Sequence, residues 1–230
     1  MNIGIILMIG IALVSFIVQW RFKNKFKKYS EMPLASGLSG KDIAEKMLAD
    51  NGISDVKIIS AEGQLSDHYN PADRTVNLSP EVYNGRSVAA AAVSAHECGH
   101  AVQHAKAYGW LKFRSAVVPA VNVASKVVQW TLMIGVILLM FSGNPMILAV
   151  GVAALALVTI FAFITLPVEF DASNRALVWL ELNRGVMQGN EEHDQAKDAL
   201  WWAAMTYVVA ALGSLATLVY YGSMLLNRRN

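Results

Sequence analysis

Four long apolar stretches constrain this chain more than any other feature. Residues 3–20, 146–166 and 203–226 carry no charged side chain, and residues 127–141 form a shorter stretch of the same kind. A helix needs about 20 apolar residues to cross a bilayer. The first, third and fourth stretches meet that length, and the second does so if its flank from Val117 is included and Lys126 snorkels. Charged residues make up 16% of the chain, against about 25% in soluble domains. The balance is that of a membrane protein. A net charge of +2, with no basic stripe interleaved with aromatics, argues against nucleic acid as a partner. The one cysteine, Cys98, excludes an internal disulfide.

The flanks set an expected topology. The first stretch has no basic residues before it and no small-residue cleavage site after it, so it reads as an uncleaved anchor. Arg21, Lys23, Lys25, Lys27 and Lys28 follow it directly, and such positive flanks stay in the cytoplasm. Residues 21–126 and 169–200 are therefore expected in the cytosol, with the N-terminus and Gly143 outside. Ser142-Gly143-Asn144-Pro145 is a turn that joins the second and third stretches into a transmembrane hairpin. Arg228 and Arg229 oppose this scheme, because a fourth span places them outside; a re-entrant or interfacial fourth segment is the alternative. The expected location is a multi-pass protein of the plasma membrane.

The expected fold class is a mainly α membrane protein, with about four transmembrane helices and a small α+β cytosolic unit. Its divisions are an anchor (1–20), a cytosolic region (21–115), a transmembrane hairpin (116–168), a second cytosolic segment (169–202) and a C-terminal transmembrane helix (203–230). Within the cytosolic region, Ser39 is placed to cap a helix over residues 41–50. Its apolar face is Ile43, Met47 and Leu48, and Asn51-Gly52 ends it. Residues 56–59 and 75–78 read as strands, the second after the turn Asn70-Pro71-Ala72-Asp73. Residues 75–78 are either an exposed edge that pairs with an extended peptide or an ordinary structural strand. Residues 87–105 are Ala-rich and read as one helix.

That helix carries His96-Glu97-Cys98-Gly99-His100. Histidines four residues apart project from one helical face, about 6 Å apart along the axis, which suits joint binding of one metal ion at about 2.0–2.1 Å. Glu97 flanks the metal without ligating it and is placed to take a proton from water. Random placement of 5 His and 9 Glu gives about 0.004 such patterns in the chain. Cys98 faces away and reads as a buried small residue.

A catalytic zinc needs a third protein ligand. His104 lies about 12 Å from His96 along the axis, too far to share the ion while His100 binds it. Position 106 is Lys, so the metzincin third histidine is absent. Glu169, in Leu166-Pro167-Val168-Glu169-Phe170-Asp171, is the best candidate. A carboxylate beside an apolar span is costly unless it is paired or bound to metal; the alternative is the first interfacial charge after the span. Pro167 suits a helix break or a first-turn position. Asp171 points about 200° away from Glu169 if the segment is helical.

These residues resemble the gluzincin arrangement of integral-membrane peptidases of the HtpX and CAAX-prenyl-protease type. The chain is more closely similar to the YugP-type neutral zinc metallopeptidases, through Leu65-Ser66-Asp67-His68-Tyr69, Asn77-Leu78-Ser79, Val82-Tyr83-Asn84-Gly85-Arg86-Ser87, His96–His100 and Leu166–Phe170. The resemblance implies a zincin-like membrane zinc metalloendopeptidase with ligands His96, His100 and Glu169 and base Glu97. Position 173 is Ser where the HtpX type has Asp, which leaves open what orients a ligand histidine there.

The remaining candidates keep two readings each. Arg175 is either an oxyanion-stabilising group or a boundary charge. His68 and Tyr69 either polarise the scissile carbonyl or pack in a loop. His193, in a polar run, reads as solvated. The function expected is hydrolysis of peptide bonds in a peptide or membrane-protein substrate, with Zn2+ as cofactor and the lipid bilayer as surroundings. The alternatives are a non-catalytic membrane scaffold or adaptor that retains a metal site, and a transporter. The near absence of ionisable residues in the spans argues against the transporter.

Overall fold

The computed structural model describes residues 3–63 and 66–226. Leu65 of the motif stretches and the terminal Arg228 and Arg229 lie outside them. The chain is a mainly α membrane protein with a small three-stranded sheet, and four of its helices are long and apolar enough to cross a membrane. In chain order the elements are α1 (Ile3–Ser30), α2 (Gly40–Asp50), β1 (Lys57–Ser60), β2 (His68–Asn70), β3 (Thr75–Leu78), α3 (Pro80–Tyr83), α4 (Val88–Ala105), α5 (Gly109–Phe141), α6 (Met146–Leu182) and α7 (Asn190–Leu226). They divide into two compact units. One holds residues 1–18, 113–166 and 206–230, and the other holds residues 19–112 and 167–205.

The first unit contains the apolar stretches. Large hydrophobic side chains stay exposed on each helix, among them Phe16, Trp130, Met140, Phe141, Ile160 and Val219. Exposure of that kind is favourable only against lipid. α5 and α6 pack closely because Gly135 has no side chain; a Cβ there would stand 2.5 Å from the backbone nitrogen of Leu148. Small residues at helix contacts serve this purpose in membranes. Leu132, Leu139, Leu148 and Leu155 fill the space around that contact. Thr159 and Ser214 share a hydroxyl hydrogen bond of 2.6 Å between α6 and α7. The tip between α5 and α6 is the expected turn: Gly143 takes φ +75°, and the Met146 N–H donates to Asn144 Oδ1 at 2.9 Å.

All four helices extend past their apolar stretches. α1 carries its basic run to Ser30, with Lys27 and Lys28 in the last turn, where cations favour the helix dipole. α5 begins at Gly109, so the flank from Val117 is helical and Pro119 lies inside it. α6 also corrects an expectation. Pro167 does not break it, and the helix runs unbroken to Leu182. Proline removes one backbone donor, and in helices of this class the flanking turns hold the geometry.

In the second unit, α2 forms where its cap and apolar spacing coincide. Ser39 Oγ accepts from the Asp42 N–H, and Asp42 Oδ2 accepts from the Ser39 N–H at 2.8 Å. Gly52 ends the helix at φ +69°. Ile43, Met47 and Leu48 are buried, each contributing about 1.5–3 kcal/mol. They meet the Ala-rich face of α4, whose small side chains let α2 approach until Ser94 Oγ donates to Gly40 O at 2.5 Å. Ser87 caps α4 by accepting from the Ala90 N–H.

The sheet order is β1-β3-β2, with β1 parallel and β2 antiparallel to β3. Residues 75–78 are therefore the central strand, with both edges paired, so of the two readings the ordinary structural strand holds and the exposed edge does not. The cause is β1, which reaches β3 from the far side with Lys57 opposite Thr75. The register of β2 sets His68 opposite Asn77 and Tyr69 opposite Val76, and Asp67 accepts from the Ser79 N–H at 2.7 Å. Two of the motif stretches are thereby neighbours.

The reciprocal cap yields a testable expectation. Ser39→Ala should lower stability by about 1 kcal/mol, read as a reduced Tm in detergent. Its hydrogen bonds to Ser39 hold the Asp42 carboxyl below its usual value. That stabilisation is therefore full above the ordinary aspartate pKa and is lost as pH falls through the lower, folded value. The Tm deficit of Asp42→Ala should accordingly shrink on acidification.

Candidate metal centre

α4 places His96 and His100 on one face with their ring centroids 4.8 Å apart. α6 supplies Glu169 opposite them. The approach of the two helices is fixed at Gly99: a Cβ there would stand 2.5 Å from the backbone oxygen of Ala172. Because Gly99 has only hydrogen at that position, the α6 backbone fits between the two histidine turns. Glu169 Oε2 then lies 3.3 Å from His96 Nε2 and 3.6 Å from His100 Nε2. One donor atom from each of the three residues lies within 4.8 Å of the others. Glu169 is 2% exposed and His100 7% exposed, so this is a protein-enclosed cluster.

The polar groups behind the imidazoles are also ordered. Ser173 Oγ, one turn beyond Glu169, lies 3.1 Å from His96 Nδ1. The position that departs from the wider pattern thus still faces a histidine, with a hydroxyl in place of a carboxylate. His100 Nδ1 lies 3.0 Å from Gln103 Oε1. The Gln103 amide nitrogen donates to Val168 O at 2.8 Å and to Asp171 Oδ2 at 2.7 Å. Arg175 Nε donates to the same Asp171 oxygen at 2.6 Å. Sequence reasoning missed Gln103. Its signal was available: it follows His100 by three residues and His96 by seven, so it shares their helical face.

Glu97 is buried, and burial pushes its carboxyl above the ordinary value. A raised pKa suits a group that must both take and return a proton. Burial alone would depress the His100 imidazole, but the Glu169 carboxylate beside it outweighs that and raises it. Cys98 faces α2, where its Sγ lies 3.8 Å from Ala44 O, and burial pushes its thiol up. It is a buried small residue, as read from its position.

The other candidates are engaged elsewhere. Arg175 is ion-paired with Asp171, and its guanidinium lies 5.7 Å from the Tyr108 ring centroid. Tyr69 Oη lies 2.7 Å from His104 Nδ1, one turn beyond His100. His68 is exposed, with Nδ1 2.7 Å from Ser66 O. His193 Nε2 lies 3.2 Å from Leu177 O.

The chain belongs to the family described as "Putative neutral zinc metallopeptidase", whose model matches residues 4–226. The chain is similar to a Bacillus subtilis (strain 168) protein named "Putative membrane protease YugP", at 40% identity over 217 residues. That match covers 94% of each chain. No solved structure matches the chain.

The family implies zinc, and the donors present fit it. Two imidazole nitrogens and a carboxylate oxygen are the chemistry of a catalytic zinc site. Ligands about 2.0–2.1 Å from a tetrahedral ion stand about 3.3–3.4 Å apart, close to the 3.3 and 3.6 Å found between Glu169 and the two histidines.

Gly99 supplies the sign test of this geometry. On a free helix surface Gly→Ala stabilises by about 1 kcal/mol. Here Gly99→Ala should destabilise, by about 1–3 kcal/mol for the forced overlap, and should lower zinc content, because the added methyl drives Ala172 and with it Glu169 away from the rings. Metal analysis and thermal unfolding of the purified variant measure both.

Proposed function

We propose that this chain is a membrane zinc metalloendopeptidase of the gluzincin kind, in which His96, His100 and Glu169 hold Zn2+ and Glu97 is the general base. The observation that carries the reading is the convergence of Glu169 on the two histidines, from a helix distant in sequence, in a cluster of three donors of which His100 and Glu169 are buried. Three protein ligands are the number a catalytic site uses, whereas a closed structural site uses four. Among the described residues the donor group has three members, which favours the enzyme over a scaffold that retains a structural metal.

Zinc bound there supplies Lewis acidity toward a peptide carbonyl and lowers the pKa of a coordinated water toward about 7. The protein's residues do the rest. His96 and His100 present Nε2 from adjacent turns of α4, and Glu169 neutralises part of the cation's charge. The Glu97 carboxylate accepts a proton from the attacking water and returns it to the leaving amine. Its buried setting keeps that proton from exchanging freely with solvent. Ser173 and Gln103 hold the imidazoles from behind. With β3 covered on both sides, the strand edges left for an extended peptide are those of β1 and β2.

The substrate is a peptide or membrane protein, and the enzyme is multi-pass in the plasma membrane with its site toward the cytoplasm. The basic residues Arg21 to Lys28 after the first apolar stretch support that orientation. The relative's printed name, "Putative membrane protease YugP", supports a protease role.

Two variants test the assignment. Glu97→Gln should retain about one zinc per chain and lose about 10²–10⁴-fold in peptide hydrolysis; turnover at the wild-type rate would refute the base. Glu169→Ala should purify with little zinc, and an unchanged zinc content by metal analysis would remove it from the ligand set.

A further inference from the structure

Gln103 is fully buried, and every hydrogen-bonding partner around it restricts what it can do. Val168 O is a backbone carbonyl and only accepts. Asp171 Oδ2 already accepts from Arg175 Nε at 2.6 Å, so that oxygen also serves as an acceptor. The Gln103 amide nitrogen is the sole end of the side chain that can face both, which it does at 2.8 and 2.7 Å. Its oxygen is then turned toward His100 Nδ1, 3.0 Å away. An amide oxygen only accepts, so His100 Nδ1 must carry the hydrogen. Nε2 is thereby the nitrogen left to bind a metal, and it is the one on the Glu169 side.

The same amide also joins two helices. Val168 is the residue before Glu169, so Gln103 ties α4 to the α6 backbone beside the carboxylate. One side chain fixes the tautomer of one ligand and the position of another. From this we infer that Gln103 is a positioning residue for the metal centre, and that Asp171 and Arg175 act through it by fixing which way its amide faces. The inference rests on the zinc reading above. It gives Arg175 a place at the outer end of a four-member chain, Arg175–Asp171–Gln103–His100. Partners that orient a ligating histidine typically change metal affinity 10–100-fold when lost.

The test measures zinc affinity of the full-length protein in detergent by competition with a chromophoric chelator. It adds the visible spectrum of the Co2+-substituted protein as a readout of coordination geometry, and helicity and Tm as a control on folding. Gln103→Leu keeps the volume and removes both functions; it should weaken zinc 10–100-fold and alter the cobalt spectrum. Gln103→Glu still offers an acceptor to His100, but its second oxygen meets the Val168 and Asp171 acceptors, so zinc should weaken here also. Adding Asp171→Asn to that variant returns a donor opposite the introduced carboxylate and should recover several-fold in affinity. A purely structural role would not predict that recovery, and the pair decides the matter if Gln103→Leu fails to fold. Wild-type affinity and an unchanged cobalt spectrum in both single variants would overturn the inference alone. A wild-type chain that takes up no zinc would overturn it together with the zinc reading.

Discussion

The contact between Gly99 and the Ala172 carbonyl is the constraint on which the site depends. Two histidines on one helix make a half-site that any HExxH segment offers. The other half arrives because α6 can lie against α4 with no side chain between their backbones. Within one turn of that contact stand the groups that matter. Glu169 precedes Ala172 by three residues, Ser173 follows it by one, and His96 and His100 flank Gly99. The contact thus sets which groups of α6 meet which groups of α4, and the carboxylate falls 3.3 and 3.6 Å from the two imidazole nitrogens as a result.

Much of this was legible in the sequence because it is local. A four-residue histidine spacing on an Ala-rich stretch specifies a helix and a shared face without tertiary information. Ser39 and Asp42 announce a capped helix in the same way, and Ser142–Pro145 a turn. Glu169 was legible for a different reason. A carboxylate next to an apolar span requires a partner, and the chain lacked a third ligand. Each fact narrowed the other.

What was not legible is non-local. Sheet order is not written in the alternation of Thr75–Leu78, so whether that strand lay at an edge or inside the sheet stayed open until β1 closed on it. Pro167 reads as a helix break or a first-turn residue because proline lacks a donor, yet it lies inside α6, which continues for fifteen residues past it. The ends of α2 and α4 fall within a residue of their sequence readings, whereas the apolar stretches fall short of the long helices that carry them. Apolar stretches mark where a helix meets lipid, whereas α1, α6 and α7 go on into polar sequence, where other packing holds them. Gln103 shares the helical face of His96 and His100 by spacing, but spacing alone does not give a buried amide a role. Its role exists only once Val168, Asp171 and His100 surround it.

The two imidazoles are not held alike. Gln103 admits one orientation of His100 and one placement of its hydrogen. Ser173 offers His96 a hydroxyl, which rotates and can either give or receive. His96 is also the more exposed of the pair, at 14% of its side chain against 9%. The cluster therefore pairs an anchored imidazole with a compliant one. Of the two rings, that of His96 is the one whose contacts leave it free to turn.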